Sequence, residues 1–571
     1  IVDLSKTANQ PMTSHNGNFI IAYNGEIYGY QELKKEIENH PDFCPAENSN
    51  WNTTSDTEVI LEAFSIWGHE FVRKLNGMFA IAICDVQKES LHLFRDRLGI
   101  KPIYYFQDQE TFAFASELKS LTCISSIKSK LSIDKQAINQ FLYLGYIPAP
   151  LSIYNEIRKF PQASYATFSQ GKLSFHRYWT PYDKIEKEPL SNIEEAKFQL
   201  KELMVRSVKN RLVSDVSFGT FLSGGIDSSF VTAVAQSLTD TPLNTFTIGF
   251  GEEGFKNEAP FAKKIARYLG TNHHELYVTE KDILDLIPKL SSIYDEPFGD
   301  SSALPTLLVS KMAKQKVCMT LSGDGGDELF MGYGAYRWAE KLNKPMMNLF
   351  RNPLSMALSL GNNRQKRAAL LLKKSSSDRF KSHIFSQEQY MFSEKEIAQV
   401  LQKEYLTLIN LDEDIPSVNR KLDAKEQQAL FDINYYLPDD LLVKVDRASM
   451  QYALETRVPI LDYRIVEFAL NVNSNLKIHQ GESKWLLKQI LYDFVPASYF
   501  ERPKWGFGIP LAKWMQNDLK PYMESLLFAE NDVVNTAEVK KLYQRFLNGE
   551  TYLYNRLWLI SRVNEFLIYN K

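Results

Sequence analysis

Ser223-Gly224-Gly225-Ile226-Asp227-Ser228 sets hydroxyls, unhindered backbone and one carboxylate side by side. An apolar run, Val216 to Leu222, precedes it, and Phe230, Val231, Val234 and Leu238 follow at helical spacing. The order is therefore strand, glycine loop, helix. Such a turn aims several backbone N–H groups and a helix N-terminus at one point, which suits a phosphate. Gly224 and Gly225 let the backbone approach a ligand closely. Ser223 and Ser228 add hydroxyl donors, and Asp227 offers an oxygen ligand for Mg²⁺. The sequence has no G-x-x-x-x-G-K-[ST], so this is not the common P-loop. A second strand-like run, Lys316 to Leu321, empties into Ser322-Gly323-Asp324-Gly325-Gly326-Asp327-Glu328. Carboxylates beside a triphosphate repel it unless a cation lies between, which makes Asp227 and Asp327 the candidate Mg²⁺ ligands.

The elements around these loops must hold them together. Asn192 to Leu212 reads as a long amphipathic helix, Thr245 to Phe250 as a strand, and Ala259 to Leu269 as a helix. Strands alternating with helices imply a parallel sheet with ligands at the strands' carboxyl ends, so both glycine loops fall on one edge. Beyond residue 340 the pattern is mainly helical. The first 180 residues are strand-rich, with runs at Met78–Ile83, Leu91–Phe94, Ile103–Phe106 and Thr111–Phe114. Asn18 to Tyr28 reads as a strand entering an Asn24-Gly25 turn. Glu32 to Ile37 is a short helix, and Thr54 to Glu58 caps the next. Leu151 to Tyr178 reads as a last hairpin, and the Pro-flanked, charged stretch that follows as a linker.

The chain has 571 residues, enough for two or three domains, with 44% hydrophobic and 24% charged residues. A formal net charge of −3 argues against a general nucleic-acid or acidic-membrane partner. Cys44, Cys84, Cys123 and Cys318 are too scattered for a zinc site or a disulfide framework, which fits a reducing cytoplasm. No apolar run approaches the roughly 18 residues of a membrane-spanning helix. The sequence opens at Ile1-Val2 in strand-like sequence without Met, and reads as a chain whose front has been removed.

Ser223 to Ser228 resembles the PP-loop of ATP pyrophosphatases, which cleave ATP between the α- and β-phosphates. Asn24-Gly25-Glu26, Ser55-Asp56, Gly77-Met-Phe-Ala80 and Arg95 to Tyr105 together resemble the glutaminase domain of class II glutamine amidotransferases. Tyr435 to Met450, Leu454 to Asp462, Gly481 to Lys488 and Arg502 to Pro510 are similar to the asparagine synthetase family. In this order the motifs cover nearly the whole chain.

The resemblance implies an α/β protein with an α+β first domain. Residues 1–180 would form an Ntn-type glutaminase β-sandwich layered with helices, and 181–190 a linker. Residues 191–571 would form a PP-loop ATP-pyrophosphatase domain, a parallel sheet with a largely helical C-terminal part. It further implies a ligase that joins a carboxylate, aspartate in the family, to AMP with release of pyrophosphate, after which ammonia displaces AMP. Leu222, Ser223, Gly224, Gly225, Asp227, Ser228, Ile248, Ser322 and Gly323 match ATP-contacting positions. Lys484 matches a pyrophosphate-facing lysine, and Asp324 stands where the family more often has a catalytic Glu. Glutamine would be bound by Ile1, Val2, Asn24, Gly25, Glu26 and Asp56. In that set Asn24 and Gly25 form an oxyanion hole, while Glu26 and Asp56 hold the α-amino group.

The family's nucleophile, an N-terminal Cys, is expected some tens of residues before Ile1. This chain is therefore expected to use ammonia, and a longer one glutamine. Asp295 to Pro305 lacks the arginine with which some asparagine synthetases grip aspartate, so another carboxylate, such as a sugar acid, is the alternative acceptor. A non-catalytic ATP-binding relative is the rival from another class. The expected partners are small molecules: ATP, Mg²⁺, aspartate, and glutamine or ammonia. Neither nucleic acid nor membrane is among them, and the family favours homodimers.

Overall fold

The computed structural model describes residues 2–46, 50–250, 257–373, 379–502 and 508–569. Among the described residues, the first half has nine strands: β1 (Met12–Thr13), β2 (Phe19–Ile27), β3 (Gly77–Asp85), β4 (Ser90–Arg95), β5 (Tyr104–Gln107), β6 (Phe112–Ala115), β7 (Ile157–Lys159), β8 (Ser164–Ser169) and β9 (Lys172–Arg177). They make a six-stranded antiparallel sheet, β1-β2-β3-β4-β8-β9, and a three-stranded one, β6-β5-β7. Alternation along β3 decides what covers each face. Phe79, Ile81 and Ile83 join the core beneath the helices Tyr30–Glu38 and Asp56–Trp67. Ala80 and Ala82 face the other way and pack with Ile103, Phe160 and Ala166, beside Tyr105 and Phe112 of the small sheet. Small residues let two sheets meet there, which produces the expected helix-layered sandwich.

Two local expectations are corrected. Asn24-Gly25 is no turn, because β2 runs unbroken from Phe19 to Ile27 and pairs residue for residue with β3. Gly25 is required by close approach: a Cβ there would meet the Met78 carbonyl and lie 2.8 Å from Phe79 Cα. The stretch read as one hairpin from Leu151 splits between sheets. Its β7 joins β5, and only β8 and β9 form a hairpin.

The second half is built on five parallel strands in the order β12-β11-β10-β13-β14, where β10 is Phe218–Phe221, β11 Asn244–Phe250, β12 Asn272–Val278, β13 Met319–Leu321 and β14 Glu455–Arg457. β10 lies centrally, where the strand order reverses, so the loops after β10 and β13 diverge from adjacent strand ends and leave a crevice. The halves also share a core. Phe141 and Tyr143, on the helix Lys135–Leu144, belong to one buried cluster with Leu557, Trp558 and Ile560 of the helix Tyr554–Tyr569. Among the described residues, no helix is long and apolar enough to cross a membrane.

Candidate active site

The loop after β10 holds itself in shape. The Ser223 and Ser228 hydroxyls lie 2.9 Å apart, and the Ser223 N–H donates to Ser228 Oγ at 3.2 Å. Gly224 has φ +77°, and Gly225 leads into the helix Ile226–Ser237. The loop after β13 packs directly on it: a Cβ at Gly323 would lie 2.6 Å from Ser228 N and 2.8 Å from the Asp227 carbonyl carbon. Glycine is needed there for contact between two backbones. A cavity of about 730 Å³ opens between the loops, and Leu222, Ser223, Gly224, Gly225, Asp227, Ser228, Ser322, Gly323, Asp324 and Asp327 all line it. Ile248 does not. It is buried within β11 in the core, and Phe246 and Thr247 line the cavity instead.

Lys484 enters from the other side, at the head of the helix Trp485–Leu491, with a left-handed φ of +55°. Its buried ammonium is ion-paired with Asp227 and lies 2.6 Å from Asp327 Oδ1. Burial works against the charge, but the two carboxylates outweigh it and hold Lys484 above the ordinary lysine range. Asp324 accepts from Ser322 Oγ at 2.7 Å, and burial raises its carboxyl above the usual range. Asp227 and Asp327 are a donor set that suits Mg²⁺, which takes one or two carboxylates and completes its shell with phosphate oxygens and water. Among the described residues, no three His, Cys, Asp or Glu side chains form a protein-only metal cage.

A second constellation sits on β2 and its neighbours. Glu26 is buried, and its carboxylate lies 2.9 Å from Arg457 Nη2 on β14. Arg457 is itself 2.6 Å from Glu455 and donates to the carbonyls of Arg211 and Val213. Burial, with Asp56 adding to it against Arg457, pushes the Glu26 carboxyl up to about 7. Asp56 accepts from the Ile27 N–H at 2.9 Å and from Tyr23 OH at 3.0 Å. It lies in the first turn of its helix, while Ser55 caps it by accepting from the Thr57 N–H at 3.1 Å. Asn24 Nδ2 reaches Ser116 Oγ at 3.4 Å, and Val2 packs against the adjoining core. Glu26 and Asp56 are thus near enough for the charge of one to act on the other. Ile1 lies outside the described residues.

The asparagine synthase family profile matches residues 199–568, and the glutamine amidotransferase domain profile matches residues 1–179. The chain belongs to the asparagine synthase family. "Asparagine synthetase [glutamine-hydrolyzing] 1" of Bacillus subtilis is 31% identical over 92% of this chain and 81% of its own length. "Putative asparagine synthetase [glutamine-hydrolyzing] 2" of Methanocaldococcus jannaschii is 37% identical over 79% of this chain and 88% of its own. A solved glutamine phosphoribosylpyrophosphate amidotransferase from B. subtilis aligns at 18% identity over 41% of this chain and 48% of its own. The TM-score is 0.22.

Three basic side chains at these two sites carry no local sequence mark of their role: Lys444 and Arg502 at the cavity, and Arg457 beside Glu26. Lys444 was visible inside a matching segment, but nothing local marks a lysine on a helix as buried. Its ammonium lies 2.9 Å from Asp300 and 3.0 Å from Ser302 Oγ at the cavity wall. Arg502 donates to the Gly224 carbonyl at 3.0 Å and pairs with Glu258, so it braces the glycine loop at the cavity wall. The motif beyond it, residues 503–507, lies outside the described residues. Arg457 was legible only as part of a motif, since its partner Glu26 is far away in the chain.

Proposed function

We propose that this chain is an amide ligase that uses MgATP to activate the side-chain carboxylate of aspartate and joins it to ammonia, giving asparagine, AMP and pyrophosphate. The observation that carries this is the buried Lys484 ammonium between Asp227 and Asp327, at a cavity edged by two touching glycine loops. A cation so placed serves a departing pyrophosphate, which a protein that only senses ATP does not produce. In the first step a carboxylate oxygen of aspartate attacks the α-phosphorus and the bond to the α,β-bridging oxygen breaks. Lys484 offsets the charge gathering on the leaving group, an interaction that strengthens in the transition state. In the second step the ammonia nitrogen attacks the acyl carbon, the bond to the AMP oxygen breaks, and the nitrogen gives up a proton. Asp324 is the acceptor we assign, because burial makes its carboxylate more basic than an exposed one. Mg²⁺, held by Asp227 and Asp327, would supply further charge compensation for the phosphates.

In the first half, Asn24 and Gly25 would face an oxyanion, while Glu26 and Asp56 would hold the α-ammonium of glutamine. A cytoplasmic setting accords with four unpaired cysteines. A homodimer is what the resemblance implies. The second reading, amidation of another carboxylate such as a sugar acid, draws on the lack of arginine between Asp295 and Pro305. Nucleotide products formed with ATP, aspartate and ammonium test the proposal: AMP and pyrophosphate are expected, and ADP as the main product sinks it. Asp227→Asn should lower pyrophosphate release by roughly 10³-fold or more while leaving the circular dichroism spectrum unchanged.

A further inference from the structure

Lys484 is not the only lysine buried at this cavity. Lys444, on the helix Leu442–Met450, also reaches the wall. Two of its three ammonium donors are used, on Asp300 Oδ2 at 2.9 Å and Ser302 Oγ at 3.0 Å. Asp300 Oδ1 accepts from the Ser302 N–H at 2.8 Å, so the carboxylate is fixed in place and still has lone pairs to offer. Lys444 is also the positive charge that acts most strongly on Asp324, which puts this pair beside the loop where the acyl group would be activated.

A desolvated ion pair is an expensive way to line a pocket and is weak evidence for stability. It is, however, complementary to a ligand that carries both signs on one carbon. The head group of an α-amino acid does so: its carboxylate meets an ammonium and its ammonium meets a carboxylate, each through charge-assisted hydrogen bonds. A sugar acid or a simple dicarboxylic acid offers only half of this match. We infer that Lys444 and Asp300 form the head-group subsite of the acceptor, with Lys444 reading the α-carboxylate of aspartate and Asp300 its α-ammonium. Asp300 lies in the segment that lacks an arginine, so the cation comes from a different element. The inference rests on the ligase reading above and narrows its acceptor to an α-amino acid.

Substrate truncation and substitution, combined, test it through pyrophosphate release with ammonium as nitrogen donor. The acceptors are aspartate, succinate (no ammonium), β-alanine (no α-carboxylate) and glucuronate. The unmodified protein should show a KM for aspartate about 10-fold or more below those of the other three. Lys444→Met should raise the aspartate KM by about 10–100-fold, change kcat by less than about 3-fold, and leave the β-alanine KM alone. Asp300→Asn should raise the aspartate KM and spare succinate. Succinate and β-alanine used as well as aspartate by the unmodified protein would overturn the subsite, with no variant needing to fold. So would a preference for glucuronate, or an equal loss of β-alanine and aspartate in Lys444→Met. Calorimetric binding of aspartate in the presence of a non-hydrolysable ATP analogue separates the two layers. Binding that depends on Lys444 without any pyrophosphate release supports the subsite and defeats the ligase reading. Absence of aspartate binding defeats the subsite.

Discussion

At Ser223 to Ser228, the glycines stand in a loop past the end of a strand, and the carboxylate stands in the first turn of the helix that follows. At Asn24 to Glu26 they stand inside a nine-residue strand paired along its whole length. The two sites therefore treat their charges differently. Asp227 and Asp327 face a cavity of about 730 Å³, and the cation between them is carried on the end of a long side chain. Glu26 is gripped by Arg457, whose side chain is fully buried and is bound to two backbone carbonyls and Glu455 as well. The first arrangement can exchange a protein partner for a phosphate oxygen. The second fastens the first half of the chain to the edge strand of the parallel sheet. The cavity pair is thus placed for turnover, while the pair between layers contributes to assembly and also sets the Glu26 carboxyl near Asp56, where the glutamine head group is proposed to sit.

Arg457→Met leaves Glu26 and Glu455 buried without their common cation, and should cost about 3–5 kcal/mol of folding stability. Denaturant unfolding reads this directly, and a loss under about 1 kcal/mol would mean the two halves are not fastened here. Lys484→Met should behave in the opposite sense. Pyrophosphate release should fall by about 10²–10³-fold, ATP affinity should change much less, and the unfolding midpoint should hardly move. Lys484→Arg should rescue only in part, since a planar fork does not replace a compact ammonium. A Met variant that keeps its rate but loses stability would make Lys484 a structural residue like Arg457.

The smallest effect concerns pH. Burial raises the Glu26 carboxyl to about 7, above its unfolded value near 4.5. Between those two values the folded chain holds a proton that the unfolded chain has released, so stability falls as pH rises from about 4.5 to 7. Glu26→Gln removes that part of the slope and should flatten the stability profile by on the order of 1–2 kcal/mol over the window. An unchanged slope in urea unfolding at pH 5 and pH 7 would show that Arg457 keeps Glu26 ionised throughout.

The alternation of strand and helix from Ile193 to Leu269, and the strand that ends at Leu321, could be read from the sequence, because apolar periodicity and glycine punctuation are local properties. The sequence therefore also determined that the loops at Ser223 and Ser322 share an edge, and both loops line one cavity. The polar β12 and the three-residue β14 were not legible, since neither has a periodicity of its own and each is a strand only through its neighbour. Asn24-Gly25 carries a strong local turn signal, and only pairing with β3, some 50 residues away, overrides it. The same reason governs the chemistry. The Lys484 motif could be read, but Lys444 meeting Asp300 across 144 positions and Arg457 meeting Glu26 required folding to bring them together. Short-range order chooses the loops, and long-range packing chooses which charges stand opposite one another.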